Sequence, residues 1–497
     1  MAERNLLREL GQHLTGMDNM CFQLEHPRRL MTICSVWTFS QRLDTTLVMA
    51  ALENLCTHHP RFCLVPKNKS PWETPVWYRP QQHWNFRDNF SFHTLTKSTM
   101  AGLQQYMACQ YVKPFNNDKP LWEAHLLSGL ENKQFAFLWK VHHSMSDSIG
   151  LINAVLATAT SMDPKEEMTR QKYQQLQFEK ARRKFGILWQ QMMMWFLWGW
   201  ILVCTAMQQV TYELWIVALL LKPWFAQLRR LSLLPIQFLL SNPPMREWSY
   251  DDDQTLEKLM AWTEDLDRRD IDKILRILGG SHTTPDDVVF LVLGRTMQTY
   301  LQQQQKEQNG DTFRVLIPVS FRLHTDWSMR NAVLGSLLEL NLGNNDTTAS
   351  LNIIHQHTTI IQRSMTAYIL YDIIIDRLLR YFPFLMTMVM PLWIQKWYTD
   401  LPHATITNIV GPTTPVFFGG QKMEACHVFP PQCGKGSISI GAVSYGDKIN
   451  LSMLTDNHPA YPDLANALCK IFVSEFNAVV DEAMEAANGF GVEGIIM

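Results

Sequence analysis

The chain has 497 residues, 46% hydrophobic and 18% charged, which suits two domains with separate cores. Its 44 basic and 46 acidic side chains give a formal net charge of -2. This balance argues against the basic surface that a nucleic-acid-binding protein needs. Nine cysteines without a C-x-x-C pair favour reduced thiols in a cytosolic environment. The charged first thirty residues predict no secretory signal peptide.

The first part of the chain mixes helical and strand patterns, and we predict an N-terminal domain over residues 1–180. A helix is expected over 47–56 and a strand over 134–141. In that strand every odd-numbered residue is large and apolar, so one face is predicted to enter the core.

A connector is predicted over residues 181–250. Within it, residues 185–221 contain a single charged side chain, Glu213, and many tryptophans and methionines. The alternative is a buried core helix, but the length and aromatic content favour a membrane-associated segment.

A second domain is predicted over residues 251–497, after Pro243-Pro244 and an acidic run at 251–253. An apolar stretch at 365–397 contains Asp372, Asp376, Arg377 and Arg380, so an amphipathic helix on protein or at a bilayer surface is expected there. Helices are predicted over 270–278, 286–300 and 463–483, and strands over 313–318, 437–444 and 448–454.

The residue pattern that carries chemistry is His142-His143-Ser144-Met145-Ser146-Asp147, directly after the predicted strand. Imidazole titrates near neutral pH, so a histidine presented there can accept a proton from a hydroxyl and pass it on. The nearby Asp147 can fix the local geometry. By itself this spacing also fits a structural histidine.

Further motifs follow in order along the chain. They resemble those of the wax ester synthase / acyl-CoA:diacylglycerol acyltransferase family, which carries P-L-W-E, H-H-x-x-x-D-G, N-D-V, P-V-S-x-R and S-N-V-P-G-P in this order. The matching runs here are P-L-W-E at 120–123, H-H-S-M-S-D at 142–147, D-D-V at 286–288, P-V-S-F-R at 318–322, T-N-I-V-G-P at 407–412 and S-Y-G at 444–446. Asp18 and Glu25 match the start of the family pattern.

The resemblance implies an α/β fold, an α+β sandwich of two chloramphenicol-acetyltransferase-like domains that form a pseudo-dimer around a central tunnel. It implies His143 as general base, with acyl-CoA as co-substrate and no cofactor, metal or acyl-enzyme. His142 and Asp147 are grouped with His143 as catalytic candidates. The alternative role of His142 is to orient the loop, and the alternative role of Asp147 is structural. Substrate-binding or packing candidates are Pro120, Trp122, Ser320 and Asn408, with Asn408 also a candidate oxyanion donor. Structural candidates are Asp287 and Arg322, the latter as a salt-bridge partner of Asp147.

The sequence departs from the family pattern at Ser148, where the family has glycine, and at Asp286, where it has asparagine. If the family backbone needs a positive φ after Asp147, serine there is strained and activity is weakened. Two alternatives therefore stay open: a catalytically silent lipid- or acyl-CoA-binding protein, and another H-H-x-x-x-D acyltransferase. The histidine pairs at 58–59 and 355–357 lack ligand partners at suitable spacing, so no metal site is predicted.

The expected partners are acyl-CoA, diacylglycerol or a fatty alcohol, and a membrane surface or lipid droplet. A single crossing by residues 185–221 would separate the two domains that must share the tunnel. We therefore expect a hairpin or an interfacial helix, with both domains cytosolic at the endoplasmic reticulum, a lipid droplet or the plasma membrane.

Overall fold

The computed structural model describes residues 10–25, 29–68, 73–80, 84–158, 257–280, 282–304, 312–322, 328–343, 346–362, 371–372, 375–376, 402–432, 438–459 and 461–489. The predicted segment 185–221, almost all of 365–397 and the domain boundaries near 180 and 250 lie outside these residues, so they remain predictions. Across the ranges just given, no helix is long and apolar enough to cross a membrane.

The described residues all belong to one unit of the chain, formed by residues 1–159, 242–362 and 369–497. Its described α-helices are α1 (Gly16–Gln23), α2 (Thr45–His58), α3 (Met100–Tyr111), α4 (Ser148–Thr158), α5 (Arg268–Ile277), α6 (Pro285–Gln303), α7 (Thr347–Gln362) and α8 (Leu464–Gly489). Its described strands are β1 (Thr32–Phe39), β2 (Val65–Lys67), β3 (Val76–Tyr78), β4 (Phe90–Thr94), β5 (Trp122–Ser128), β6 (Phe135–His142), β7 (Lys258–Trp262), β8 (Leu266–Asp267), β9 (Thr312–Ser320), β10 (Val333–Asn341), β11 (Ala404–Val410), β12 (Phe417–Phe418), β13 (Gln421–Lys422), β14 (Ala425–Phe429), β15 (Ile438–Tyr445) and β16 (Lys448–Asp456).

The helices and strands that were predicted within the described residues are confirmed, with ends displaced by a few residues. The largest difference is the last helix, which continues to Gly489 instead of ending near 483.

Two sheets organise this unit. The first has the order β14-β1-β6-β5-β4, and the second has the order β10-β9-β11-β15-β16-β7, with β8 also paired to β16. The first sheet thus takes β14 from the far end of the chain, where it pairs antiparallel with β1. Strand β15 can approach β14 closely because residue 441 is glycine, where a Cβ would lie 1.8 Å from the carbonyl oxygen of Val428.

The alternation predicted for β6 is confirmed by the cores on its two faces. Phe137, Trp139 and Val141 enter one hydrophobic cluster, and Ala136 and Leu138 enter another. A third cluster lies between the second sheet and helices α5 to α8. Because β6 is central in the first sheet and buried on both faces, the loop that follows it starts from a fixed position.

Candidate active site

His143 occupies the tight loop between β6, which ends at His142, and α4, which starts at Ser148. Its backbone N–H donates to the carbonyl of Met31 at 2.6 Å, which extends the pairing of β6 with β1 by one residue. The backbone N–H of Met145 then donates to the carbonyl of His142 at 3.0 Å and turns the chain. The predicted position of His143 just past a strand end is confirmed.

The imidazole of His143 is half-buried. Burial lowers the pKa of His143, and contacts with its own backbone carbonyl, with Asp147 and with Asn331 oppose this shift without reversing it. Only Nδ1 can reach the carbonyl of the same residue, so a ring that bonds this carbonyl is protonated at Nδ1. Cys21 Sγ also lies 3.8 Å from Nδ1, whereas Nε2 has no hydrogen-bond partner among the residues described. A neutral ring with an unoccupied Nε2 can accept a proton from a hydroxyl near pH 7.

The adjacent His142 is held through both ring nitrogens. Its Nε2 lies 2.9 Å from the Glu25 carboxylate, and its Nδ1 accepts from the backbone N–H of Ser144 at 3.1 Å. Burial by itself raises the pKa of Glu25, but the hydrogen bond and charge of His142 act against burial, and the net shift is downward. Glu25 also accepts from the backbone N–H of Met31 at 3.1 Å. His142 therefore anchors the loop through these contacts.

Asp147 joins the loop to the second half of the chain. Arg322 Nη2 lies 3.0 and 3.1 Å from its two carboxylate oxygens, and both side chains are nearly inaccessible. Asp147 also accepts from the backbone N–H groups of Ala332 at 2.9 Å and Gly150 at 2.8 Å. The predicted ion pair with Arg322 is therefore present. Both carboxylate oxygens of Asp147 take part in contacts that stabilise the structure.

A second buried ion pair lies beneath the same loop. Arg61 Nη1 is 2.9 Å from Asp18 Oδ2 and donates to the carbonyl of Met145 at 2.8 Å. Asp18 Oδ1 accepts from the backbone and side-chain nitrogens of Asn331 at 2.9 and 2.8 Å. Asp18 was noted in the sequence only as part of a motif, and Arg61 and Asn331 were missed, because no local spacing connects residues so far apart in the chain.

The predicted residues Pro120 and Trp122 lie in the core. Trp122 is fully buried and its indole N–H donates to the carbonyl of Phe62 at 2.9 Å, while the carbonyl of Pro120 accepts from Asn89. Neither lines the cavity described below. Their positions fit packing, and their substrate-binding role remains a prediction. The backbone N–H of His142 donates to Leu121, so the P-L-W-E run supports the loop from one side.

The predicted residues of the second half occupy separate places. Ser320 is exposed at the end of β9 and accepts from the backbone N–H of Arg322 at 3.3 Å. Asp287 is fully buried in a capping box with Thr284 at the start of α6, which fits its predicted structural role. Asn408 donates to Asp286 at 2.5 Å.

An apolar cavity lies beside α4. Val141 and Ser148, which flank the 142–147 loop, both line it, together with residues of β1, β6, β11, β14 and β15. The 407–412 motif contributes Ile409, Gly411 and Pro412 to the wall. Since successive side chains of a strand face opposite sides, Asn408 points away from the cavity that Ile409 lines. The candidate role of Asn408 as an oxyanion donor is therefore unsupported by its position.

Ser148 does not carry the strain expected of it. It is the first residue of α4 and has no positive φ. The glycine in close contact with this loop is Gly150 in the first turn of α4, where an added Cβ would force Ser146 Oγ to move. The serine that replaces the family glycine thus leaves the loop backbone unstrained.

Comparison with known sequences gives one family. The pattern of the wax ester synthase/diacylglycerol acyltransferase catalytic domain matches residues 14–199, and that of the WS/DGAT C-terminal domain matches residues 330–479. A putative diacyglycerol O-acyltransferase of Mycobacterium tuberculosis is 21% identical over 356 residues, 69% of this chain and 68% of that protein. Wax ester synthase/diacylglycerol acyltransferase 11 of Arabidopsis thaliana is 28% identical over 127 residues, 24% of this chain and 25% of that protein.

Solved structures give the same fold. The wax ester synthase/diacylglycerol acyltransferase from Marinobacter aquaeolei VT8 has a TM-score of 0.58 at 18% identity and covers 95% of this chain and 100% of its own. A mutant starter condensation domain of rhizomide synthetase RzmA, in complex with C8-CoA, has a TM-score of 0.54 at 13% identity over 96% of both chains. The predicted class, α/β with two chloramphenicol-acetyltransferase-like domains, is thereby confirmed. The chain belongs to the wax ester synthase/diacylglycerol acyltransferase family of acyltransferases.

Proposed function

We propose that this protein transfers a long-chain fatty acyl group from acyl-CoA to a lipid hydroxyl, on diacylglycerol, a fatty alcohol or both. Nε2 of His143 takes the proton of the acceptor hydroxyl as its oxygen attacks the thioester carbonyl. The tetrahedral oxyanion then collapses, the carbon–sulfur bond breaks, and the proton passes from His143 to the sulfur. The products are the ester and free coenzyme A, and no acyl-enzyme forms.

The observation that carries this proposal is the state of His143. Burial lowers the pKa of His143 and so favours the neutral ring, and the loop places that ring directly after β6, beside the cavity that Val141 and Ser148 line. The cavity beside the same loop is lined almost wholly by apolar groups, as a long alkyl chain requires.

The unstrained Ser148 removes the physical reason to expect a silent protein. A lipid-binding protein without turnover, or an acyltransferase with another acceptor, is left as an outcome of the experiment.

We propose a location at a membrane or lipid-droplet surface on the cytosolic side, and the interlocking of the two halves supports one part of this proposal, that both halves lie on the same side. Strand β14 pairs with β1, and Arg322 pairs with Asp147, so residues on either side of the predicted connector form one unit. A connector that crossed a bilayer once would prevent these contacts. Fractionation of cells expressing the protein tests the location, and recovery only in the high-speed supernatant would contradict it.

The deciding experiment supplies labelled oleoyl-CoA to membranes that express the wild type or His143→Ala, with hexadecanol or diacylglycerol as acceptor. We expect labelled ester from the wild type and a loss on the order of 100-fold or more in His143→Ala, since general-base catalysis contributes roughly that much. His58→Ala is the matched control, because His58 is an exposed histidine at the end of α2. Equal activity in His143→Ala and the wild type would refute the proposal, and a folded wild type that forms neither ester would point to the silent binder or an untried acceptor.

A further inference from the structure

Asn331 is a fully buried residue whose side chain contacts both the His143 loop and the ion pair beneath it. Its Nδ2 donates to the backbone carbonyl of His143 at 2.7 Å and to Asp18 Oδ1 at 2.8 Å. Both partners are acceptors, so the orientation of the amide is fixed: a flipped amide would place its oxygen against a carbonyl and a carboxylate. The residue belongs to the second half of the chain, whereas both partners belong to the first.

The surroundings of Asn331 hold it in place from three sides. Its backbone N–H donates to Asp18 Oδ1 at 2.9 Å, and its carbonyl accepts from the hydroxyl of Tyr371 at 2.9 Å. Asp18 is in turn paired with Arg61, which also binds the carbonyl of Met145. The backbone of Asn331 is thus held at both polar atoms, and its buried amide nitrogen is held by two acceptors, which fixes the carbonyl of His143.

The carbonyl that Asn331 holds belongs to His143 itself, and Nδ1 is the one ring nitrogen that can reach it. A carbonyl oxygen has two lone pairs, so it can accept from Asn331 and from Nδ1 together. If the carbonyl rotates, Nδ1 loses its acceptor, and the proton is free to occupy either ring nitrogen. Protonation at Nε2 would remove the base.

We propose that Asn331 is a positioning residue for His143: it holds the carbonyl that binds Nδ1–H and thereby keeps Nε2 as the unprotonated nitrogen. Asp18 holds the side-chain amide of Asn331, Tyr371 holds its backbone carbonyl, and Arg61 acts through Asp18. The inference rests on the proposed function, in which Nε2 of His143 is the base. Asn331 itself touches neither the reacting hydroxyl nor the thioester in this scheme.

The kinetic test compares wild type with Asn331→Ala in the full-length protein, using oleoyl-CoA and the preferred acceptor from pH 4.5 to 8. We expect kcat to fall on the order of 10- to 100-fold, the usual effect of removing a group that orients a functional histidine. KM for oleoyl-CoA should stay within about twofold, because uniform binding is untouched. The contact with Asn331 raises the pKa of His143, so its loss should move the acid limb of the kcat profile to lower pH.

Asn450→Ala is the matched control. Asn450 is also buried and also bonded to a histidine, His427, at 3.0 Å, but it lies on β16 in the second sheet. It should lose stability without a shift of the acid limb. If Asn331→Ala does not fold, Tyr371→Phe removes only the hydroxyl that holds the Asn331 carbonyl, and we expect a smaller fall in kcat of about 2- to 5-fold with the same direction of pH shift.

A measurement independent of turnover separates this inference from the proposed function. With ¹⁵N-histidine labelling, the signals of His143 are identified by their loss in His143→Gln. At pH 7.5 the wild type should show one tautomer, protonated at Nδ1, and Asn331→Ala should show a mixture. An unmixed Nδ1–H tautomer in Asn331→Ala, or an unchanged kcat and pH profile, would overturn the inference. A wild type without turnover would end the proposed function, yet the tautomer comparison would still decide the role of Asn331.

Discussion

The loop after β6 and the start of α6 each present two adjacent ionisable residues of the same type. In the loop, His142 is bound at both ring nitrogens, while His143 keeps Nε2 available. At the start of α6, Asp287 is fully buried and bound, while the half-buried Asp286 accepts from Asn408. In both places one member of the pair is held by several bonds that stabilise the loop or the helix start. The other member has fewer bonding partners. Adjacency in sequence therefore does not assign the same role to both residues.

The largest effect is expected at the ion pair of Asp147 with Arg322, which joins the first and second halves of the chain. Arg322→Met leaves the Asp147 carboxylate buried without its cation, so we expect a loss of about 3–5 kcal/mol in the free energy of unfolding. Turnover should fall with it, because the loop that carries His143 loses its hold on the second half. Denaturant unfolding of the purified protein measures the loss. Arg269→Met, which removes an exposed pair with Asp267, is the control, and equal stability of the two variants would contradict the assignment.

Sequence predicted the part of this site that local pattern and motif order encode. The apolar alternation placed β6, the H-H-x-x-x-D run placed His143 after it, and the resemblance suggested that Arg322 pairs with Asp147. It named His143 as the base but left His142 open between a catalytic and a loop-orienting role, because the contact that bears on this choice comes from Glu25, which reaches His142 from α1's side of the fold. It also missed Asn331 and Arg61, whose partners are brought together only by tertiary packing.

The pairing of β14 with β1 was missed for the same reason. Five residues near position 425 carry too short a pattern to identify a strand, and nothing local indicates that the strand joins the first sheet. The cavity depends on this crossing, since Cys426 and Val428 contribute to its wall.

Four alanine substitutions sharpen the comparison between the two residue pairs. His142→Ala and Asp287→Ala each remove a buried, bonded group and should cost about 1–3 kcal/mol of stability. Asp287 is the better bound of these two, with Thr358 and His355 at 2.7 and 2.9 Å in addition to its capping box. His143→Ala and Asp286→Ala should cost less, about 1 kcal/mol or below. Only His143→Ala should also abolish turnover.

Thermal unfolding and the oleoyl-CoA assay on the same four preparations check this ordering. The comparison fails if His143→Ala proves as destabilising as His142→Ala, since the two histidines would then share one structural role. It also fails if Asp286→Ala is the more damaging of the two aspartate variants.

The smallest expected effect is the pH dependence of Asp286. Burial raises the pKa of Asp286 above 3.8, with a further rise from Asp287 and an opposing effect from Asn408. A carboxyl with a raised pKa in the folded state contributes most stability when protonated, and that contribution is lost as pH rises through its native pKa. Asp286→Asn keeps an acceptor oxygen for Asn408 but removes the charge. The variant should therefore gain thermal stability relative to the wild type as pH rises from about 4 through the native pKa of Asp286, with no further gain above it. Asp287→Asn should show no such gain, because removal of the charge weakens the contact with His355 and part of the helix cap. Parallel behaviour of the two variants would contradict the different roles that the structure gives to Asp286 and Asp287.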